Sequence, residues 1–171
     1  MAIHRLNHAV LFVGDLETSV RFYAEVLGFV VTESSPGQAA FLRAAGSTND
    51  HDLGLFRAGT QAAVNAAGRG SVGLYHLAWE VTTLGDLEDL QARLAEAGAL
   101  TGMSDHGTTK SLYGRDPDGL EFEVVWLIPA HLLADDGALT TRPLDLPAEI
   151  ERFGRDTRSG LGISVPLGVT V

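Results

Sequence analysis

Two histidines and one glutamate in this chain have the types and spacing of ligands for one divalent metal ion. His8 and His76 each lie in a strand-like run, and Glu123 lies in a third run of this kind. Alternate residues of a strand share one face. The apolar faces predicted to pack under helices are Tyr75, Leu77, Trp79 and Val81 around His76, and Phe122, Val124 and Trp126 around Glu123. The three candidate ligands therefore lie on faces turned away from the helix layer.

A divalent metal suits this set of ligands. If the strands curl toward each other, the three side chains converge in a cavity. Two neutral imidazoles and one carboxylate on one side of an ion leave its other positions open. Non-haem Fe(II) uses this arrangement, and Mn(II), Zn(II) or Co(II) also occupies it. The charge of the ion offsets the large cost of burying the Glu123 carboxylate.

The carboxylate has two alternatives, and a histidine in a strand is more often a core or surface residue than a ligand. Glu80 is four strand positions from His76, about 13 Å at 3.3 Å per residue, which is too far for both to hold one ion. Glu121 lies beside the turn Asp116-Pro117-Asp118-Gly119 and is expected near the rim of the cavity. The residues alone favour Glu123 and leave Glu121 open.

The elements that must position these residues repeat once along the chain. His8 and His76 are 76 − 8 = 68 positions apart, and Gly28 and Gly98, which follow two amphipathic segments, are 98 − 28 = 70 positions apart. The spacing between the two histidines and the spacing between the two glycines differ by only two residues. This agreement predicts a duplicated module and supports equivalent roles for the two histidines.

Each module is predicted to have the order βαβββ. Helices are predicted over 15–27 and 86–97, with Asp15 and Asp86 as N-caps and a glycine as terminator. The strands after the helices are predicted over 29–34, 39–44 and 50–57, and over 99–103, 109–115 and 120–127. The fold class is therefore α+β.

The predicted boundaries divide the chain into a domain and an extension. Module one covers 1–58, an Ala- and Gly-rich linker covers 59–71, and module two covers 72–128, which together form a domain over 1–128. The extension over 129–171 contains four of the six prolines and little periodicity. We expect it to be a lid over the cavity or a dimer arm.

Composition excludes several function classes. The chain has 171 residues, with 22 acidic and 12 basic side chains and a net charge of −10, which disfavours nucleic acid and anionic membranes as partners. Without cysteine there is no disulfide, thiolate metal site or cysteine nucleophile. Residues 1–6 lack the apolar core of a signal peptide, and no apolar run reaches the roughly 18 residues of a membrane span. A cytoplasmic protein is expected.

Four stretches resemble the vicinal oxygen chelate superfamily, which includes glyoxalase I, fosfomycin-modifying thiol transferases, bleomycin-binding proteins and extradiol dioxygenases. They are LNHAVLFVGDLETSVRFYAEVLGF, HDLGLF, LYHLAWEV and SLYGRDPDGLEFEV, within about residues 5 to 127. The resemblance matches His8, His76 and Glu123 to the family's metal ligands and does not match Glu121. It implies paired βαβββ modules in an eight-stranded open barrel-like sheet around the metal, with helices outside. Leu120 departs from the asparagine or histidine that is usual after DPDG.

The resemblance is nearest to single-domain catechol 2,3-dioxygenase-like proteins and implies roles for three further residues. His51 would be the acid/base, Tyr113 would orient the substrate, and His106 would act near the site, although its spacing is not identical to the family's. A catechol-like diol would chelate Fe(II), with Mn(II) as the next choice of metal, and O2 would open the ring beside the diol. Many proteins of this fold dimerise, so a homodimer is a further expectation.

Other members of the superfamily fit these residues less well. Glyoxalase I needs a fourth ligand in the middle of the fourth strand, where this chain has Leu53, Gly54 and Leu55. A fosfomycin-type transferase needs basic groups for the phosphonate, and Lys110 is the only lysine. Bleomycin-binding members usually lack the full triad. An isomerase, lyase or thiol transferase, or a protein that binds an aromatic ligand without catalysis, remains the alternative.

Overall fold

The computed structural model describes residues 3, 5–63, 65, 70, 72–133 and 140–160. The chain divides into two compact units. Unit 1 comprises Met1–Ser71 with Asp116–Leu120, and unit 2 comprises Val72–Arg115 with Glu121–Val171. Parts of the predicted linker (64, 66–69 and 71) and of the extension (134–139 and 161–171) lie outside the described residues. The division into 1–128 and 129–171 stays a prediction.

Unit 1 contains one four-stranded sheet with a helix packed on it. Its elements are β1 (Ala9–Val13), α1 (Leu16–Arg21) continued by a π-helical turn (Phe22–Val26), β2 (Val30–Ser35), β3 (Ala39–Arg43) and β4 (Leu53–Arg57). The strand order is β1-β4-β3-β2. β1 runs parallel to β4, and the other pairs are antiparallel.

Unit 2 repeats this plan and adds elements from the extension. They are β5 (Leu77–Glu80), α2 (Leu84–Glu96), β6 (Leu100–Asp105), β7 (Thr109–Arg115), β8 (Glu121–Leu127), a 3-10 turn (Ala130–Leu132), β9 (Arg142–Pro143) and α3 (Leu146–Phe153). The strand order is β5-β8-β7-β6-β9, with β5 parallel to β8. The paired βαβββ modules and the α+β class are confirmed. The strands form separate sheets of four and five, and neither sheet is closed.

The helix ends follow the predicted chemistry with one correction. Asp15 caps α1 by accepting a hydrogen bond from the Thr18 N–H at 2.7 Å, and Gly28 and Gly98 follow their helices with φ of 81° and 64°. The prediction of Asp86 as an N-cap was wrong. Thr83 caps α2, and the Asp86 side chain accepts a hydrogen bond from the Thr83 N–H at 2.8 Å, which completes a capping box.

The first strand of each module starts later than predicted. β1 begins at Ala9 and β5 at Leu77, so His8 and His76 each lie one residue before the strand. The prediction that Tyr75 packs under a helix was also wrong, because this residue precedes β5 and is 59% exposed. Both histidines therefore lie where backbone pairing ends.

Each sheet buries one face under its helix. The buried residues are Leu11, Val13, Leu16, Tyr23, Leu42, Leu53 and Leu55 in unit 1, and Leu84, Leu87, Leu90, Leu94, Leu112, Phe122, Val124 and Trp126 in unit 2. In β8 buried and half-buried residues alternate, which confirms that Phe122, Val124 and Trp126 face the helix layer. Glu123 is thereby held on the other face of the sheet.

The described part of the extension packs on unit 2. The Trp126 indole N–H donates to the Thr157 carbonyl at 2.9 Å, and the Leu127 N–H donates to the Ser159 hydroxyl at 2.9 Å. Leu146 of α3 is only 1% exposed. Residues 140–160 thus contribute to the core of unit 2. A role for the extension as a lid or dimer arm stays a prediction.

Gly114 in β7 gives a direct test of this packing. A Cβ at Gly114 would overlap the Phe122 ring and lie 3.1 Å from the Ala99 carbonyl oxygen, whereas a Cβ at Gly102 in β6 would meet nothing within 4 Å. We expect Gly114→Ala to lower the free energy of unfolding by about 1–3 kcal/mol, as overpacking does. Denaturant titration measures the change. Gly102→Ala is the matched control, and equal destabilisation by both variants would contradict this packing.

Candidate metal site

His76 and Glu123 face each other within unit 2. Glu123 pairs with Ala78 of β5 and Tyr113 of β7 in the sheet register, so it lies in the middle of its strand. His76 Nε2 lies 3.1 Å from Glu123 Oε2, and the two side chains are 25% and 13% exposed. An imidazole and a carboxylate are thus held close together in a largely water-excluded position.

This separation fits two ligands of one metal ion. With metal–nitrogen and metal–oxygen bonds of about 2.1 Å, neighbouring ligands at a right angle lie about 3 Å apart. The other ring nitrogen, His76 Nδ1, is buried and has no hydrogen-bond partner among the described residues. The proton of a neutral ring can reside there, which leaves the Nε2 lone pair for a metal. The residues present fit a divalent cation.

The Tyr113 hydroxyl lies between the Glu123 carboxylate and the His106 ring. The Tyr113 hydroxyl lies 3.4 Å from Glu123 Oε1 and 2.8 Å from His106 Nε2. His106 Nδ1 lies 3.2 Å from the Thr140 carbonyl oxygen. A carbonyl only accepts, so Nδ1 carries a proton and, in the neutral ring, Nε2 accepts from the Tyr113 hydroxyl. The structure therefore brings two predicted site residues, Tyr113 and His106, together with Glu123.

Tyr113 is held in its protonated form. Burial raises the pKa of the Tyr113 hydroxyl, and the negative charge of Glu123 raises it further. Because both effects disfavour the phenolate, Tyr113 is a neutral hydroxyl at physiological pH. It can donate one hydrogen bond and accept others.

The other two predicted site residues lie together in unit 1. The rings of His8 and His51 have centroids 4.6 Å apart, and the Phe41 ring is 5.0 Å from His51. His51 lies in the turn before β4, where its Nδ1 is 3.1 Å from Asp50 Oδ2. Sequence reasoning missed Asp50 and Phe41. The adjacency of Asp50 to His51 was a usable signal, but the position of Phe41 depends on strand register.

The alternative carboxylates are engaged elsewhere within unit 2. Glu121 Oε1 accepts from Arg115 at 2.7 Å, and its side chain is 34% exposed. Glu80 accepts a hydrogen bond from the Ser159 hydroxyl at 2.7 Å. Neither residue contacts His76 as Glu123 does, so the geometry of this unit favours Glu123.

Comparison with known families agrees with the fold. Residues 5–124 match the model of the Glyoxalase/Bleomycin resistance protein/Dioxygenase superfamily. The chain belongs to this superfamily. The match covers both modules up to the middle of β8, and it includes every candidate site residue named above.

Relatives in this superfamily include proteins named as dioxygenases. The chain is 31% identical over 160 residues to a catechol-2,3-dioxygenase of Bacillus subtilis strain 168, covering 91% of this chain and 54% of that protein. It is 35% identical over 116 residues to biphenyl-2,3-diol 1,2-dioxygenase 3 of Rhodococcus globerulus, covering 67% of this chain and 59% of that protein. The chain thus spans little more than half the length of both relatives.

A solved structure shows the same superfamily fold. The glyoxylase/bleomycin resistance protein/dioxygenase domain from Frankia sp. EAN1pec is 26% identical and superposes with a TM-score of 0.62. The match covers 77% of this chain and 98% of that domain. Members of the superfamily differ in chemistry, so the reaction has to be argued from the site residues.

The complete triad remains a prediction for this superfamily member. Within the described residues, no group of three or more His, Asp or Glu side chains is arranged to hold a metal ion. His76 and Glu123 belong to unit 2, and His8 belongs to unit 1.

None of the helices in the described part of the chain has the length and apolar character needed to cross a membrane.

Proposed function

We propose that this protein is an extradiol-type dioxygenase that uses a divalent metal, Fe(II) first and Mn(II) next, to cleave a catechol-like aromatic diol with O2. The observation that carries the proposal is the His76–Glu123 pair, with Nε2 and Oε2 3.1 Å apart and the Tyr113 hydroxyl within reach of the same carboxylate. The two ring-cleaving relatives support the choice of reaction.

His8, His76 and Glu123 would hold the metal. When bound, the metal supplies Lewis-acid activation of the diol and the redox chemistry that dioxygen requires. Its charge also compensates Glu123, whose side chain is only 13% exposed. The open positions left by three protein ligands suit a substrate that presents two adjacent oxygens.

Tyr113 and His106 would orient the substrate. With its own proton donated to His106 Nε2 at 2.8 Å, the Tyr113 oxygen is free to accept a hydrogen bond from a diol hydroxyl. His106 is in turn fixed by the Thr140 carbonyl at 3.2 Å. His106 thereby fixes the position of the Tyr113 oxygen, so less conformational entropy is lost when the substrate binds to it.

His51 would move the proton that leaves the diol. Its side chain is 19% exposed, and its Nδ1 lies 3.1 Å from the Asp50 carboxylate. A proton on Nδ1 directed at Asp50 leaves Nε2 as the basic atom. General acid–base catalysis by such a residue contributes about 10²–10⁴-fold to rate.

The test is ring cleavage by the full chain loaded anaerobically with Fe(II) and then exposed to O2. We expect a yellow product from catechols and matching oxygen uptake. In Tyr113→Phe we expect unchanged metal content and a fall in kcat of about 10²-fold, the loss typical of one positioned hydrogen-bonding group. Without the Tyr113 hydroxyl, His106 loses its hydrogen-bond donor and the diol loses its hydrogen-bond acceptor.

Tyr75→Phe is the matched control, because the Tyr75 ring lies 4.6 Å from the His76 ring but is 59% exposed. This control should retain full activity. Stoichiometric Fe or Mn without oxygen uptake would direct the assignment to an isomerase, lyase or thiol transferase. Failure to bind any metal would leave a small-molecule binding protein. Homodimer formation and a cytoplasmic location remain part of the proposal.

A further inference from the structure

His106 lies in the turn between β6 and β7, and a segment of the extension contacts both its backbone and its ring. The backbone carbonyl of His106 accepts a hydrogen bond from the Thr140 N–H at 3.3 Å. The ring nitrogen Nδ1 lies 3.2 Å from the Thr140 carbonyl oxygen and 3.4 Å from the Thr141 hydroxyl oxygen. His106 is thus held by residues 34 and 35 positions later in the chain.

The same segment is anchored beside His106 by strand pairing and by an ion pair. β9 pairs with the end of β6, where Arg142 lies opposite Asp105. The Arg142 guanidinium lies 3.2 Å from Asp105 Oδ2, and the Gly107 N–H donates to Asp105 Oδ1 at 2.8 Å. Asp105 therefore joins the turn that carries His106 to the extension. We call residues 140–142 the Thr140 segment.

The Thr140 segment determines which nitrogen of the neutral His106 ring carries the proton. Because a carbonyl oxygen only accepts, the hydrogen bond to Thr140 needs the proton on Nδ1. Nε2 then has a lone pair and accepts from the Tyr113 hydroxyl at 2.8 Å. A neutral imidazole without such a partner can carry its proton on either nitrogen.

The opposite tautomer would reverse the hydrogen bond between His106 and Tyr113. With the proton on Nε2, His106 would donate to the Tyr113 oxygen, and the Tyr113 proton would turn toward Glu123 Oε1, 3.4 Å away. The Tyr113 oxygen would then have one lone pair fewer for a hydroxyl group of the substrate. The tautomer that Thr140 selects keeps that lone pair for the substrate.

We propose that the Thr140 segment is part of the active site and that Arg142 is a positioning residue for the reaction. Arg142 holds the Thr140 carbonyl against His106 Nδ1, and His106 in turn presents the Tyr113 oxygen as an acceptor for the diol. The inference rests on the proposed ring-cleaving function. It assigns residues 140–142 a role that needs neither lid closure nor a second copy of the chain.

The first test reads the tautomer of His106 directly and needs neither metal nor substrate. Nitrogen-15 NMR of the histidine rings, at a pH where they are neutral, distinguishes a protonated ring nitrogen from an unprotonated one, and His106→Gln identifies the signals. We expect a protonated Nδ1 and an unprotonated Nε2 in the wild type, and a mixture of both tautomers in Arg142→Ala. A wild-type ring protonated on Nε2, or an unchanged tautomer in Arg142→Ala, would overturn the proposal.

Arg155→Ala is the matched control, because Arg155 ties the extension to α2 instead of to the turn that carries His106. It pairs with Glu88 and Asp89, and its side chain is 42% exposed. The Arg142 side chain is 65% exposed, so both variants lose surface ion pairs, which contribute little to folding stability. Arg155→Ala should keep the wild-type tautomer. A mixture of tautomers in this variant too would show a general loosening of unit 2 and overturn the role of Arg142.

The second test measures whether Arg142 acts through Tyr113. In the Fe(II)-loaded full chain we expect Arg142→Ala to lower kcat with catechol by about 10-fold, a smaller loss than the roughly 10²-fold that a misplacement of about 1 Å can cause. In the Tyr113→Phe background the same substitution should have no further effect, because the hydroxyl that it positions is absent. An equal loss of kcat in both backgrounds would show a merely structural effect and contradict the proposal.

The two tests separate this inference from the proposed reaction. If the tautomers are as expected in the wild type and in Arg142→Ala but no catechol is cleaved, the proposed reaction fails while the control of His106 by the Thr140 segment stands. If catechol is cleaved by a wild type whose His106 is protonated on Nε2, the inference fails and the reaction stands.

Discussion

Glu123→Ala is expected to lose the bound metal and with it all ring cleavage. Residues that only hydrogen-bond to a metal ligand are worth about 10–100-fold in metal affinity or activity, so removing a ligand itself should cost more than about 100-fold in affinity. The variant also leaves His76 Nε2 without the carboxylate that now lies 3.1 Å away. Elemental analysis of protein purified without added metal or chelator measures the stoichiometry.

Glu121→Ala provides a matched control on the same strand and the same face, two residues earlier. Its carboxylate is 34% exposed and pairs with Arg115, whose side chain is 58% exposed. Such a surface ion pair is worth about 0–1 kcal/mol. We therefore expect normal metal content in this variant. Metal retained in Glu123→Ala and lost in Glu121→Ala would show that the wrong carboxylate had been chosen.

His8→Ala tests the contribution of unit 1 to the same site. If His8 completes the triad, this variant should lose metal as Glu123→Ala does. His76 and Glu123 alone would then supply only two of the three protein ligands that the proposed site needs. Wild-type metal content in His8→Ala would limit the site to unit 2. That result would remove His8 from the proposal while leaving His76 and Glu123 in place.

Those parts of the fold that depend on local patterns were predictable from the sequence. The alternation of Phe122, Val124 and Trp126 with polar neighbours placed Glu123 on the open face, and β8 shows this alternation. Gly28 and Gly98 marked two helix ends because glycine adopts positive φ at little cost, and both do so. The duplicated spacing of these signals revealed the two modules.

Features that depend on distant partners were not predictable. Thr83 and Asp86 are both good capping residues, and only the position at which the chain enters α2 selects Thr83 as the N-cap. The packing of 140–160 on unit 2 depends on side-chain contacts such as Trp126 with Phe153, whose rings lie 5.5 Å apart. The contact of the His106 ring with the Thr140 carbonyl likewise joins residues 34 positions apart in the sequence.

Lys110→Met is expected to destabilise the fold strongly while it leaves the candidate site untouched. Lys110 is the only lysine in the chain, and its side chain is only 2% exposed. Its Nζ lies 2.6 Å from Asp105 Oδ1 and 3.1 Å from Glu149 Oε2 of α3. Removing one partner from a buried ion pair leaves uncompensated charge and typically costs 3–5 kcal/mol. Denaturant titration should show a loss of about that size.

Arg142→Ala is the matched control, because Arg142 pairs with the same carboxylate at 3.2 Å but its side chain is 65% exposed. This variant should lose about 1 kcal/mol or less. Equal losses of unfolding free energy in Lys110→Met and Arg142→Ala would mean that burial does not determine how much an ion pair with Asp105 contributes to stability. A loss below 1 kcal/mol in Lys110→Met would mean that Asp105 and Glu149 find other compensation.

The pH dependence of stability separates the charge of Lys110 from its packing. Burial raises the pKa of Asp105, but hydrogen bonds from Lys110 and the Gly107 N–H, with the charges of Lys110 and Arg142, outweigh burial, so the pKa lies below its usual value. A folded-state pKa below the unfolded value stabilises the fold above about pH 4, and this stabilisation is lost as pH falls through the folded-state pKa. In Lys110→Met the hydrogen bond and the charge of Lys110 are gone while those of Gly107 and Arg142 remain, so the pKa of Asp105 rises and its ionised form stabilises the fold less. The difference in unfolding free energy between wild type and variant should therefore be largest near neutral pH and shrink below about pH 4. A difference that stays constant with pH would assign the effect of Lys110 to packing alone.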